Sequence, residues 1–195
     1  MRKIAIFGGS FDPIHKAHIN VAKLALQLCN LNKIIFVLST RPPHKIKQHA
    51  NILDRINMLN IAIAKFKKFE LSLYEANQNK TVYSYQTLDY FQRQYTHDKI
   101  YLIVGSDCFL NFHSWNNISH IKEYYNLIVI SRPGYPLSYS DNNNYIFLNK
   151  TMYNISSTAI RQAIKQSKNI KAVISYLNKG VYNYILKNNL YNILK

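Results

Sequence analysis

The amino-acid sequence predicts an α/β fold built on a doubly wound parallel sheet, and three observations support this. Short apolar runs recur along the chain, amphipathic helical stripes fill the intervals, and Pro and Gly collect where the runs end. The runs are 4–7, 34–38, 69–73, 100–104 and 127–130. All but the third are near-continuous in Ile, Val, Leu and Phe, as in strands covered on both faces. Between the first two, residues 17–28 place Val21, Leu24, Ala25 and Leu28 on one helical face; residues 52–63 repeat the stripe at Ile52, Ile56, Leu59 and Ile63. Leu88 and Phe91 begin a further helix. Strands alternating with helices of this length require right-handed crossovers, which makes the unit Rossmann-like. A sixth strand candidate follows at 145–148, and residues 156–195 read as helical, with Gly180 as the expected break.

The chain has 195 residues, enough for one domain with a sizeable core. No Ser/Gly/Pro-rich linker or internal repeat divides it, so a Rossmann-like core over 1–150 and a helical part over 151–195 are expected to share that domain. Hydrophobic residues make up 48% and charged residues 17%, a balance that excludes a disordered chain. No run approaches a membrane span, and the run at 4–7 is too short for a signal-peptide core, so a cytosolic protein is expected. Cys29 and Cys108 each sit in an apolar stretch and read as buried thiols without chemistry. The net charge of +16 raises the question of nucleic acid, but the Lys residues are spread along the whole chain instead of clustering. A preference for anionic small molecules is the better use of such a field.

The stretch IAIFGGSFDPIHKAH concentrates the chemistry. Glycines directly after a buried first strand let the backbone turn and approach a ligand, and the amides at the next helix start favour an anion. The spacing matches neither the dinucleotide fingerprint nor a P-loop. His15 and His18, one helical turn apart, can donate imidazole hydrogen bonds to phosphate oxygens, and Ser10 adds a hydroxyl. On residue types alone, Asp12-Pro13 is equally a turn that holds backbone amides, and the two histidines suit a metal pair, although no Cys, Glu or third His lies nearby.

The segment GGSFDPIHKAH resembles the G-G-x-F-D-P-x-H-x-x-H signature of nicotinate mononucleotide adenylyltransferases and their nucleotidyltransferase relatives. RPPHK at 41–45, Tyr83-Ser84, GSD at 105–107 with Trp115 downstream, SRPGY at 131–135 and ISSTAIR at 155–161 extend the likeness over essentially the whole chain. The resemblance implies adenylyl transfer from ATP to nicotinate mononucleotide in NAD biosynthesis, with Mg²⁺ accompanying ATP and no metal held by protein side chains. It places Gly8, Gly9, Ser10, Phe11, His15 and His18 on the ATP phosphates, with His18 at the transferred α-phosphate. Gly105, Asp107 and Arg132 would bound the adenosine. Ser157, Thr158 and Arg161, at a helix start that Ser156 or Ser157 can cap, would grip the β- and γ-phosphates. His44, Lys45, Tyr83, Ser84 and Trp115 would receive the mononucleotide. Two positions depart from the pattern: Ala17 stands where the family has Gly, and Gln86 where it has Asp. The competing readings are an adenylyltransferase for nicotinamide mononucleotide or phosphopantetheine and, from another class, a basic nucleic-acid-binding module.

Overall fold

A computed structural model of the chain describes residues 1–39, 49–135, 144–149, 155–166 and 174–191. Among these, β1 (Lys3–Gly9), β2 (Lys33–Leu38), β3 (Phe69–Ser72), β4 (Lys99–Gly105), β5 (Asn126–Ile130) and β6 (Tyr145–Leu148) form one parallel sheet in the order β3-β2-β1-β4-β5-β6. The helices are α1 (Lys16–Leu28), α2 (Ile52–Ile63), α3 (Ser84–Gln94), α4 (Ser106–Leu110), α5 (Ile118–Tyr124), α6 (Ser157–Lys165) and α7 (Lys179–Lys187). The expected doubly wound α/β architecture is present. No helix of the described residues is long and apolar enough to cross a membrane.

Side chains alternate across each strand, so neighbouring residues enter different cores. Ala5, Phe7, Ile34, Phe36, Ile103 and Ile128 pack with residues of α1, α2, α6 and α7. Ile4, Ile6, Ile35, Val37, Leu102 and Val129 pack on the opposite side with Leu88 and Phe91 of α3 and Ile121 of α5. Burial on both faces is why the runs are continuous, and each of the Ile, Val, Leu and Phe side chains contributes roughly 1.5–3 kcal/mol by leaving water.

Strand order reverses between β1 and β4, and ligands bind beyond the carboxyl ends of strands at such a switch. The pairing shows how the crevice opens. β1 pairs with β4 only as far as Ile6 opposite Leu102, while it stays paired with β2 through Gly9 opposite Leu38. β4 likewise continues to Gly105 opposite Ile130 of β5. The last residues of β1 and β4 are thus drawn to opposite sides.

Several expectations change. Gly8 and Gly9 still belong to β1, and the turn falls at the following residues, where Phe11 has φ 46°. Residues 106–124, given no element by the sequence pattern, fold as α4, a 3-10 turn at Phe112–Ser114 and α5. Gly180 is not a break. It lies in the first turn of α7, where its N–H donates to the Asn178 side chain at 2.8 Å. A Cβ at Gly180 would come 2.7 Å from Ile61 Cγ2, so glycine permits the approach of α7 to α2. Cys29 is buried, but Cys108 is exposed, because α4 buries only Ser106.

Candidate active site

The site begins with backbone placement. In the loop after β1, the carbonyls of Ser10, Asp12 and Pro13 each receive a donor from elsewhere in the fold: Arg55 Nη1 at 3.1 Å, Arg161 Nη1 at 2.6 Å and Ser157 Oγ at 3.0 Å. The negative ends of this loop are therefore occupied by the protein itself, a condition that suits a loop meeting an anion. Gly9 is needed for local packing, since a Cβ there would lie 2.9 Å from the Phe11 ring. Gly8 is exposed, and a Cβ on it would meet no atom within 4 Å. Its missing side chain leaves room beside the loop.

Asp12 resolves in favour of the structural alternative. Its buried carboxylate accepts from the His49 N–H at 2.8 Å, the Ala50 N–H at 3.2 Å and the Tyr191 hydroxyl at 2.8 Å. The carboxylate ties the loop to the start of α2 and to the chain's end. Burial and the neighbouring Asp12 raise the Tyr191 hydroxyl well above the usual tyrosine range, so it stays a proton donor.

His15 is the N-cap of α1, and His18 lies one turn in. The two rings stack with centroids 3.7 Å apart, and His18 Nδ1 accepts the His15 backbone N–H at 3.2 Å. That bond leaves the proton of a neutral His18 ring on Nε2, so its far edge is the donor. The Phe11 ring meets His18 edge-on at 5.2 Å, and Phe11 is itself buried, so only its backbone can face a ligand. Burial, with Arg132 adding to it, depresses the His15 pKa to about 3.

A cavity of about 370 Å³ adjoins the pair. Its walls include Phe7, Ala17, His18, Gly105, Asp107 and Arg132. Arg132 Nη1 pairs with Asp107 Oδ2 at 2.7 Å, while Asp107 Oδ1 is buried without a hydrogen-bond partner. A Cβ at Gly105 would collide with that Oδ1 and lie 3.1 Å from Arg132 Nε, so the pair in this arrangement packs directly against the bare glycine. The Ser106 hydroxyl holds the Arg132 backbone N–H at 2.9 Å.

α6 supplies the opposite wall. Ser156 caps it by accepting from the Ala159 N–H at 3.1 Å and also lines the cavity. Arg161, besides holding Asp12, donates from Nη2 to Thr158 Oγ1 at 3.1 Å. Ser157 and Arg161 thus join the loop after β1 across 144 and 149 residues of chain, with Thr158 holding the Arg161 fork.

Tyr83, Ser84 and Trp115 do not line this cavity. Tyr83 is the N-cap of α3, is 36% exposed, and Ser84 is the first residue of that helix. Trp115 packs edge-on against Phe112 at 5.2 Å. His44 and Lys45 lie outside the described residues. Gln86, at the position of a family Asp, accepts the Tyr83 N–H at 3.0 Å and so caps α3 without a charge.

Sequence reasoning missed Arg55 and Glu75. Arg55 was legible as an oddity, a charge on the face of α2 shared with Leu59 and Ala62. Glu75 had no local signal. Only the fold sets its carboxylate against the Thr87 hydroxyl at 2.8 Å, where burial raises its pKa.

The cytidylyltransferase-like family model matches residues 6–163. A probable nicotinate-nucleotide adenylyltransferase from Endomicrobium trichonymphae is 50% identical over 196 residues, spanning 98% of this chain and 100% of the relative. A probable nicotinate-nucleotide adenylyltransferase from Clostridium tetani is 39% identical over 204 residues, spanning 98% and 100%. The fold is shared with Plasmodium falciparum nicotinic acid mononucleotide adenylyltransferase complexed with NaAD, at a TM-score of 0.85, 22% identity, and coverage of 100% of this chain and 99% of that one. A crevice at the switch point, a stacked histidine pair at its mouth and a full-length match to named relatives converge: the chain belongs to the cytidylyltransferase-like family and, within it, to the nicotinate-nucleotide adenylyltransferases.

Proposed function

We propose that this chain transfers the adenylyl group of ATP to nicotinate mononucleotide, forming nicotinate adenine dinucleotide and pyrophosphate in the cytoplasmic synthesis of NAD. The observation that carries the reading is the His15–His18 stack beside an open cavity at the β1/β4 switch point. In the reaction, a 5′-phosphate oxygen of the mononucleotide bonds to the α-phosphorus of ATP in line, and the bond from that phosphorus to the bridging β-oxygen breaks. Pyrophosphate carries away the electron pair. No protein nucleophile is needed, so the residues act by positioning and by meeting the charge that grows on the phosphate oxygens.

His18 Nε2–H serves as the donor to the α-phosphate, with its ring set by the His15 stack, the His15 N–H and the Phe11 edge. The backbone of Gly8, Gly9, Ser10 and Phe11 borders the triphosphate, and the start of α6 with Thr158 and Arg161 holds its far end. Gly105, Asp107 and Arg132 bound the adenosine, where the unpartnered Asp107 Oδ1 suits a ribose hydroxyl. Tyr83, Ser84 and Trp115, with His44 and Lys45, are assigned to the mononucleotide on the family likeness. Among the described residues, no group of three or more His, Cys, Asp or Glu side chains is placed to hold a metal ion. We treat Mg²⁺ as part of the ATP substrate complex.

Pyrophosphate release measured side by side with nicotinate and nicotinamide mononucleotide tests this reading. Faster turnover of the acid is expected, abolished by chelator and restored by Mg²⁺. A preference for the amide overturns the substrate choice, and no release with either mononucleotide overturns the function.

A further inference from the structure

Arg55 is 2% exposed on the inner face of α2, away from the cavity wall. A guanidinium so deeply buried is costly unless its donors are used. One nitrogen, Nη1, bridges two backbone carbonyls, Ser10 at 3.1 Å and Ser39 at 2.8 Å. Ser10 opens the loop after β1, and Ser39 is the residue that follows β2. Asp12 is the group whose negative charge supports the cation from nearby. These contacts join the carboxyl ends of two adjacent strands. The Ser39 N–H also reaches the Gly9 carbonyl at 2.9 Å, so the two strand ends are stitched at backbone and side-chain level together.

We propose that Arg55 is a positioning residue for adenylyl transfer, its guanidinium holding the loop after β1 and the end of β2 in one frame so that His18 and the loop amides meet the triphosphate together. The inference rests on the reading that this loop holds ATP. Arg55 touches no reacting atom in that arrangement; it acts through the Ser10 and Ser39 carbonyls. A lysine keeps the charge, but its ammonium sits one bond short of the position of Nη1, so it does not reach both carbonyls in the same geometry. Small displacements of positioning groups lower rates steeply.

The test uses the full chain, R55K and R55A, with thermal melts to establish folding at the assay temperature and steady-state kinetics with ATP and nicotinate mononucleotide. In R55K we expect a folded protein whose kcat/KM for ATP is lowered about tenfold, and in R55A a loss of about 100-fold. Millimolar guanidinium should restore about tenfold of the R55A loss by occupying the vacated site, while H18A gains nothing from it. Rescue distinguishes positioning from a purely structural role. If the wild type is active and R55K matches it, or folded R55A shows no rescue, or both variants fail to fold, the proposal is overturned and the function stands. If the wild type releases no pyrophosphate, the functional reading itself has failed and the proposal falls with it.

Discussion

At the residue scale, His15 and His18 occupy opposite circumstances one turn apart. His15 is buried and neutral, and it carries the stack; His18 is half-buried and lines the cavity with its donor edge set by the His15 N–H. His18→Ala should lower turnover by two or more orders of magnitude with the melting temperature little changed, the size of losing one preorganised donor to developing charge. Near-normal turnover would remove His18 from the transition state. His15 makes a separate, thermodynamic prediction. Its folded pKa of about 3 lies below the ordinary 6.5, so between those values the unfolded chain binds the extra proton. Stability from this group is fully present above pH 6.5 and is lost as the pH falls toward 3. Between pH 7 and pH 5, the wild type should lose up to about 2 kcal/mol more than His15→Asn in denaturant titrations. Parallel losses in the two proteins would contradict the burial of an uncharged ring.

At the scale of elements, helix starts do the positioning. α1 is capped by a histidine instead of a small hydroxyl residue, which places the imidazole stack at the helix mouth, and α6 is capped by Ser156. Ser156→Ala should cost about 1 kcal/mol of stability. Because α6 also carries Thr158 and Arg161, the same variant should raise KM for ATP more than KM for the mononucleotide. Equal changes in the two constants would mean that α6 does not serve the triphosphate. The amphipathic stripes made α1 and α2 legible from sequence, and the Ser-Ser-Thr run announced the start of α6. α4 and α5 were not legible, since α4 has five residues and α5 seven, too few turns for a period to emerge. Gly180 was misleading for a related reason: its purpose is the contact with Ile61 of another helix, which no local pattern encodes.

Over the whole molecule, the strands and the C-terminal helices bury a common cluster, with Ile160, Ile164, Val181 and Ile185 packed among Phe36, Ile103 and Ile128. We propose on this basis that the chain is one domain. Heat unfolding followed by far-UV dichroism and by Trp115 fluorescence should give coincident single transitions; separated transitions would divide the chain. The charge of +16 belongs to this scale as well, as a field that draws phosphate-bearing substrates. Labelled duplex and single-stranded oligonucleotides should bind weakly near physiological salt, and tight binding there would revive the nucleic-acid reading.

By itself the sequence determined the class of fold and the chemistry of the opening loop, because strand burial, helix amphipathicity and a glycine-histidine turn are all written in residues close along the chain. Only the tertiary structure decided what Asp12 and Arg55 do, that Asp107 pairs with Arg132 at a glycine, and that α6 closes onto the loop after β1. Those contacts join residues far apart in the chain. Apart from the Asp107–Arg132 pair and the Tyr191 hydroxyl on Asp12, their partners are backbone carbonyls and amides, which every residue carries alike, so no pattern of side chains could have announced them.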